Sequence, residues 1–200
     1  FRAEDEQPFL RFLLDNGLAA LWYEYAKKNE EDALFSRAGM DELHQASLVA
    51  VATYLRQQHA LRRLTDILDG ADIVHAVFKG VHIRELVYAS PWVRPAGDID
   101  ILVEKKDRVR AIRTLVAAGF AFTPDPANIS HEGSLTGGNV SLDLHWDILR
   151  PGRNRKNLTG AFLAGRQKFP DPWGLSNEDT LFVMLVHPVF TKYTTTSSAS

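Results

Sequence analysis

Between Pro8 and about Leu68, apolar residues recur three and four positions apart with charges between them: Phe9, Phe12 and Leu13, then Leu43, Ala46, Ala50, Tyr54, Leu61, Leu64 and Leu68. That spacing lines up on one side of a 3.6-residue turn and predicts two or three helices. Asn16-Gly17 interrupts the first, Ser36 to Gly39 marks a junction before the long second stretch, and Gly70 closes the region. The period then changes. Ile73-Val74-His75-Ala76-Val77-Phe78 is a short β-branched and aromatic run of the kind that forms a buried strand. Helical spacing returns from Gly80 to Tyr88, and Ser90 to Gly97, with two prolines and a glycine, reads as a loop.

That loop leads into Asp98-Ile99-Asp100-Ile101-Leu102-Val103, an apolar run headed by two carboxylates. In a strand, residues two apart point to the same side, so both carboxylates share a face. Asp107 to Ala118 reads as a helix capped by Gly119, and Phe120 to Thr123 as a short strand stopped by Pro124 and Pro126. His131 to Leu135 and Val140 to Trp146, joined through Thr136-Gly137-Gly138-Asn139, form a hairpin pattern. In its second arm Val140, Leu142, Leu144 and Trp146 fall on one face, and Ser141, Asp143 and His145 on the other. Arg150 to Lys156 reads as a basic loop. A helix from Asn177 passes Met184 and is expected to end or kink at His187-Pro188. The Thr/Ser run from Thr194 to Ser200 is expected to be unstructured.

Composition narrows the classes of function. Two hundred residues suffice for a core domain with a helical attachment, and a net charge of -2 argues against a nucleic-acid binder that relies on a large basic surface. The chain has no cysteine, which excludes disulfides, thiolate zinc sites and cysteine nucleophiles. No apolar run reaches membrane-spanning length and no signal peptide opens the chain, so no membrane partner and a cytoplasmic location are expected. A start at Phe1 and a Thr/Ser terminus lead us to expect a fragment. The expected organisation is a helical region over 1–70, an α/β core over 71–149, and a truncated loop and helix over 150–200.

Three features carry chemistry: Lys79-Gly80 where a strand meets a helix, Asp98 with Asp100 on a second strand, and Asp143 on a third. If the strands are neighbours, the carboxylates surround one or two divalent ions, with Mg²⁺ or Mn²⁺ suited to hard oxygen ligands. Such a centre serves in-line phosphoryl or nucleotidyl transfer. Gly80 lets phosphates approach the amides at a helix start, and Lys79 adds a point charge.

The run Phe78-Lys79-Gly80, then Tyr88, Arg94, Gly97-Asp98-Ile99-Asp100-Ile101-Leu102-Val103, Gly119-Phe120, His131 and Asp143-Leu144-His145-Trp146, resembles the bacterial family described as uncharacterised nucleotidyltransferases, within the DNA polymerase beta-like superfamily. The likeness is close from Ile73 to Trp146. It implies an α/β (α+β) fold, a small mixed sheet flanked by helices with an N-terminal helical region. It also implies a metal-dependent enzyme with a two-metal mechanism that moves a nucleoside monophosphate from a nucleoside triphosphate such as ATP to a hydroxyl. By resemblance, Asp98 and Asp100 match the metal pair, Asp143 the third carboxylate and Gly80 the triphosphate-binding turn. Lys79, Arg94, Gly97 and His145 complete the expected nucleotide site. The acceptor is open between a small molecule, a protein side chain and an RNA end.

Each residue also has a plainer reading. Lys79 would pair with Asp98 or another carboxylate, and Arg94 would anchor its own loop. His145 would make a structural hydrogen bond, or else assist proton transfer. His131 would face it across the hairpin, a pair better suited to a transition metal than to Mg²⁺, although no H-E-x-x-H spacing supports that. Trp92, Trp146 and Trp173 read as packing residues. The superfamily commonly has Gly-Ser or Gly-Gly after its first strand, where this chain has Lys79-Gly80-Val81. The missing serine motivates a competing expectation, a catalytically inactive nucleotide-binding or antitoxin-like regulatory module of the same fold. A third possibility is that Asp98 and Asp100 merely end a strand, with Asp143 out of reach.

Overall fold

The computed structural model describes residues 6–29, 35–124, 131–149, 156–168 and 172–192, with only the helical backbone described over 188–192. The basic loop expected over Arg150 to Lys156 falls almost wholly outside these residues, as does the Thr/Ser terminus. The chain divides into two units, Phe1–Gln58 with Arg84–Ala96, and His59–Ile83 with Gly97–Ser200.

The first unit is helical. Helix α1 (Glu6–Asp15) and helix α2 (Ala19–Lys28) meet at Gly17, whose φ of +66° is the left-handed conformation that ends a helix most cheaply when the residue lacks a Cβ. Helix α3 (Arg37–Gly70) follows, and its first part belongs to this unit. Ser36 caps it: the Ser36 hydroxyl accepts the Gly39 amide at 3.1 Å and donates to Glu6 Oε1 at 2.6 Å. The helical spacing read from the sequence is thus realised in three helices, with the junction at Ser36. Leu10, Leu13, Ala19, Phe35 and Leu43 form the core, and Phe9 stacks edge-on against Trp22 with ring centroids 5.2 Å apart. A 3-10 turn over Pro91–Val93 lies within the proline-containing loop.

The second unit is a seven-stranded mixed sheet flanked by helices. Its strands are β1 (His75–Phe78), β2 (Asp98–Val103), β3 (Ala121–Thr123), β4 (Glu132–Gly137), β5 (Val140–His145), β6 (Gln167–Lys168) and β7 (Trp173–Gly174), in the order β3-β4-β5-β2-β1-β7-β6. Helix α4 (Lys79–Val87) begins here, and α5 (Arg108–Ala117), α6 (Thr159–Ala164) and α7 (Asn177–Lys192) follow. Strands β1 and β2 occupy the middle because they are apolar on both sides; all but Asp98 of their residues are buried. Gly138 and Asn139 both have φ near +60°, giving the two-residue turn whose twist matches a hairpin, and this fixes the β4–β5 register. On one face Ala76, Phe78 and Leu102 pack with Phe162 and Leu163 of α6 and Val183 of α7. Helix α7 continues through Pro188 to Lys192, so His187-Pro188 does not end it as expected; a proline inside a helix removes one backbone hydrogen bond without obliging the chain to leave it. Strands β6 and β7 and helix α6 had no visible signal, being too short to show a period.

Candidate functional site

Strand β2 lies between β1, antiparallel, and β5, parallel. The register sets Asp100 opposite Asp143 on β5 and opposite Phe78 on β1, and sets Asp98 opposite Ser141. The hairpin extends the same face, with Ser134 opposite Asp143 and Glu132 opposite His145. Side chains in register share a face. Asp98, Asp100, Asp143, His145, Ser134 and Glu132 therefore crowd one end of the face whose other end is the apolar cluster under α6 and α7. The reading in which Asp143 lies out of reach of the β2 carboxylates is excluded by this register.

Lys79 follows directly from β1 and begins α4 with φ +54°, an unusual conformation for a residue with a Cβ and one that costs energy. Its ammonium lies 2.9 Å from Asp100 Oδ1 and 3.3 Å from His145 Nε2, and 5.1 Å from the centre of the Phe78 ring. The pairing expected with Asp98 or another carboxylate is made to Asp100. Gly80 is the second residue of α4. Gly97 immediately precedes β2, and a Cβ there would meet nothing within 4 Å, so packing does not demand a glycine. Arg94 closes the 3-10 turn and belongs to the first unit, where it lines a cavity together with Arg84; Asp98, Asp100, Asp143, Lys79, Gly80, Gly97 and His145 all belong to the second.

Electrostatics mark this end of the face as short of positive charge. Burial, then the charges of Asp100 and Asp143 and a hydrogen bond with Asp143, raise the Asp98 pKa from 3.8 to about 6, with Lys79 opposing. Burial also raises the pKa of Asp100, which is only 3% exposed, against the pull of Lys79 and, more weakly, His187 on α7. Like charges held together resist ionisation of each other, and one ammonium does not compensate three carboxylates. Asp143 is steadied by the Ser134 hydroxyl, which donates to its Oδ1 at 2.7 Å.

His145 joins this cluster to a second one. It is fully buried against the edge of Phe78, ring centroids 4.9 Å apart, and burial followed by Lys79 drives its pKa well below 6.5. A neutral imidazole carries one ring proton. Nε2 faces the Lys79 ammonium and Asp100 Oδ1 at 2.9 Å, whereas Nδ1 lies 3.0 Å from Glu132 Oε2. Nδ1 makes no hydrogen bond among the described residues, so the ring proton belongs on Nε2, which donates to Asp100 Oδ1. Ligand atoms of Asp100, Asp143 and His145 lie within 4.8 Å of one another, and so do those of His131, Glu132 and His145. His131 faces His145 with ring centroids 5.7 Å apart, as the hairpin pattern suggested. Either trio has donors for a cation. A cation on Nε2 would require the ring proton to move to Nδ1, which lies 3.0 Å from Glu132 Oε2.

Glu132, Ser134 and His187 were not read from the sequence as site residues. For Glu132 and Ser134 a signal existed: counting back from the Gly138-Asn139 turn pairs them with His145 and Asp143. His187 had none, because its approach depends on how α7 packs over the sheet.

The sequence model of a family described as "Uncharacterised nucleotidyltransferase" matches residues 2–195. No curated protein matches the chain.

Proposed function

We propose that this chain, which belongs to the uncharacterised nucleotidyltransferase family, transfers a nucleoside monophosphate from a nucleoside triphosphate to a hydroxyl acceptor at the β2–β5 carboxylate cluster. The observation that supports this most is the register that sets Asp100 against Asp143, with Asp98 on the same face and pushed up to a pKa of about 6 by burial and then by the charges of Asp100 and Asp143. A group so placed ionises readily only beside a cation. The oxygen-rich donor set fits a hard divalent ion, so Asp98, Asp100 and Asp143 would hold one or two Mg²⁺ or Mn²⁺ ions, with His145 Nε2 adjacent. Such ions supply neutralisation of charge on phosphoryl oxygens and acidify an attacking hydroxyl.

The chain's own groups have the remaining roles. Lys79 carries the charge nearest the carboxylates and offers an ammonium to a phosphate oxygen. Gly80, in the first turn of α4, leaves room for phosphates beside backbone amides that lie at the positive end of a helix. Asp143, held by Ser134, accepts the acceptor's proton. Glu132, whose Oε2 is 3.0 Å from His145 Nδ1, would accept the Nδ1 proton once a cation takes Nε2.

The competing reading, an inactive nucleotide-binding module, draws on the same Lys79–Asp100 pair, since an ammonium 2.9 Å from the carboxylate already neutralises part of its charge. Thermal denaturation with Mg²⁺ or Mn²⁺ and each nucleoside triphosphate, combined with pyrophosphate release, separates the two. Catalysis requires a metal-dependent stabilisation that disappears in the Asp98→Asn, Asp100→Asn double variant, together with pyrophosphate release in a panel of hydroxyl acceptors. Equal stabilisation of both proteins would overturn the metal centre. Stabilisation without pyrophosphate release across the panel would favour the binding module.

A further inference from the structure

Strands β4 and β5 run antiparallel away from the Gly138-Asn139 turn, so Glu132 and His145 form the cross-strand pair at the open end of the hairpin. His131 precedes β4 at a bend, where its carbonyl accepts the amides of both Trp146 and Asp147, at 2.8 and 3.3 Å. Strict alternation would send the consecutive side chains of His131 and Glu132 to opposite faces. The bend instead leaves the His131 ring beside both partners: its Nε2 is 3.4 Å from Glu132 Oε2, and its centre is 5.7 Å from that of the His145 ring. The two histidines are buried, whereas the Glu132 side chain is 30% exposed.

The Nδ1 side of His145 is electrostatically incomplete. With the ring proton on Nε2 and donated to Asp100 Oδ1, Nδ1 presents a lone pair. It faces Glu132 Oε2 at 3.0 Å and makes no hydrogen bond among the described residues. Two acceptors at that distance repel, and burial weakens the screening that would relieve them. A positive centre between them removes the repulsion. The spacing suits a metal ion: ligands at the ~2.0–2.1 Å bond lengths of zinc and at tetrahedral angles stand about 3.4 Å apart. Glu132 Oε2 stands 3.0 Å from His145 Nδ1 and 3.4 Å from His131 Nε2, and ligand atoms of all three residues lie within 4.8 Å of one another. Donors that converge on one point shield each other from solvent, so the burial of the nitrogens belongs to such an arrangement, and the exposed flank of Glu132 is the way in.

We infer that His145 Nδ1, His131 Nε2 and Glu132 form a zinc site, distinct in its donors from the carboxylate cluster on β2 and β5. Two imidazoles and one carboxylate suit zinc better than magnesium, and three protein ligands leave a fourth position for water. The two uses of His145 are alternatives. An ion on Nδ1 keeps the ring proton on Nε2 and on Asp100, so a hard ion at the other cluster has Asp98, Asp100 and Asp143 alone. Zinc at the open end of the hairpin ties the segment before β4 to the end of β5 and fixes His145 as a donor to Asp100. The inference does not depend on the reaction proposed for the carboxylates.

The test is calorimetric titration of the chelator-treated full chain with Zn²⁺ in millimolar Mg²⁺, which occupies hard oxygen sites. One equivalent is expected to bind at sub-micromolar concentration. Glu132→Gln, which keeps the shape of a partly exposed side chain, is expected to weaken Zn²⁺ binding by more than about tenfold with the folded state retained by circular dichroism. His131→Gln is expected to do the same, and it separates this site from the other because the carboxylate cluster makes no use of His131; since His131 is buried and its variant can fail to fold, Glu132→Gln is the primary arm. Asp98→Asn, which alters the carboxylate cluster alone, is expected to bind Zn²⁺ as the parent does. Parent binding weaker than micromolar, unchanged affinity in Glu132→Gln, or unchanged affinity in a folded His131→Gln would each overturn the site. A tenfold loss in Asp98→Asn would also overturn it, by moving the ion to the carboxylates.

Discussion

Asp100 and Asp143 stand opposite one another on parallel neighbouring strands, two like charges in direct cross-strand register. Such a pair is destabilising by itself, and Asp100 is 3% exposed, so water does little to relieve it. The Lys79 ammonium, 2.9 Å from Asp100, is the compensation that the chain itself supplies.

Removing that compensation should therefore be costly. Lys79→Met leaves the buried Asp100 carboxylate without its ammonium, and we expect about 3 kcal/mol of lost stability in urea denaturation at pH 7.5 with chelator present. In the Lys79→Met, Asp100→Asn double variant most of that loss should be recovered. A double variant as unstable as Lys79→Met alone would mean that Lys79 acts through packing on Phe78 and not through charge.

The pH dependence has a definite sign. Asp98 titrates near 6 in the folded protein against 3.8 ordinarily, so between those values the folded state binds more protons than the unfolded one. Stability then falls as pH rises from about 4 to about 6, and Asp100, also raised, acts in the same direction. Without divalent ions, Asp98→Asn should flatten this fall and be more stable than the parent at pH 8 by ~1–3 kcal/mol, while matching it near pH 3.5. Urea titrations across pH would check this; a parent that gains stability from pH 4 to 6 more steeply than the variant contradicts it.

Glu132 acts through His145. Glu132→Gln keeps shape and removes the charge facing Nδ1, so Mn²⁺ affinity measured by calorimetry should fall ~10-fold with little change in melting temperature. Unchanged affinity would indicate that His145 orientation does not depend on Glu132.

Close packing on the far side of β1 offers a test of the fold alone. A Cβ on Gly174 would run into the His82 ring, whose Nε2 is tied to the Leu175 carbonyl at 3.1 Å. Gly174→Ala should cost ~1–3 kcal/mol in urea denaturation, since the ring must move and strain or break that bond. Gly160→Ala, where a Cβ meets nothing within 4 Å, should not.

Much of the scaffold was legible along the chain because its signals are local. Three helices follow from apolar spacing, with Ser36 and Gly17 at their junctions. The Gly138-Asn139 turn announces the β4–β5 hairpin, and the alternation within β5 puts Asp143 and His145 on one face. That face was expected to lie away from the apolar core, whereas His145 is fully buried: the carboxylate end runs on into the cluster under α6 and α7, and a neutral ring can be accommodated where the two meet. The part of the expectation in which His187-Pro188 ends the last helix weighed one missing hydrogen bond and could not weigh the packing of Val183 against the sheet.

The amino-acid sequence by itself determined the kind of each long element, the shared direction of Asp98 and Asp100, and the family to which the chain belongs. The tertiary structure decided that β5 lies parallel beside β2, that Lys79 pairs with Asp100, that Glu132 stands beside His145, and that Arg84 is buried against Gln57. The division has a physical origin. Helical and strand periods are set by residues a few positions apart, whereas the approach of β2 to β5 joins positions more than forty residues apart. Such pairings are fixed by core packing and by hydrogen bonds between strands that are not consecutive, and neither leaves a period in the sequence.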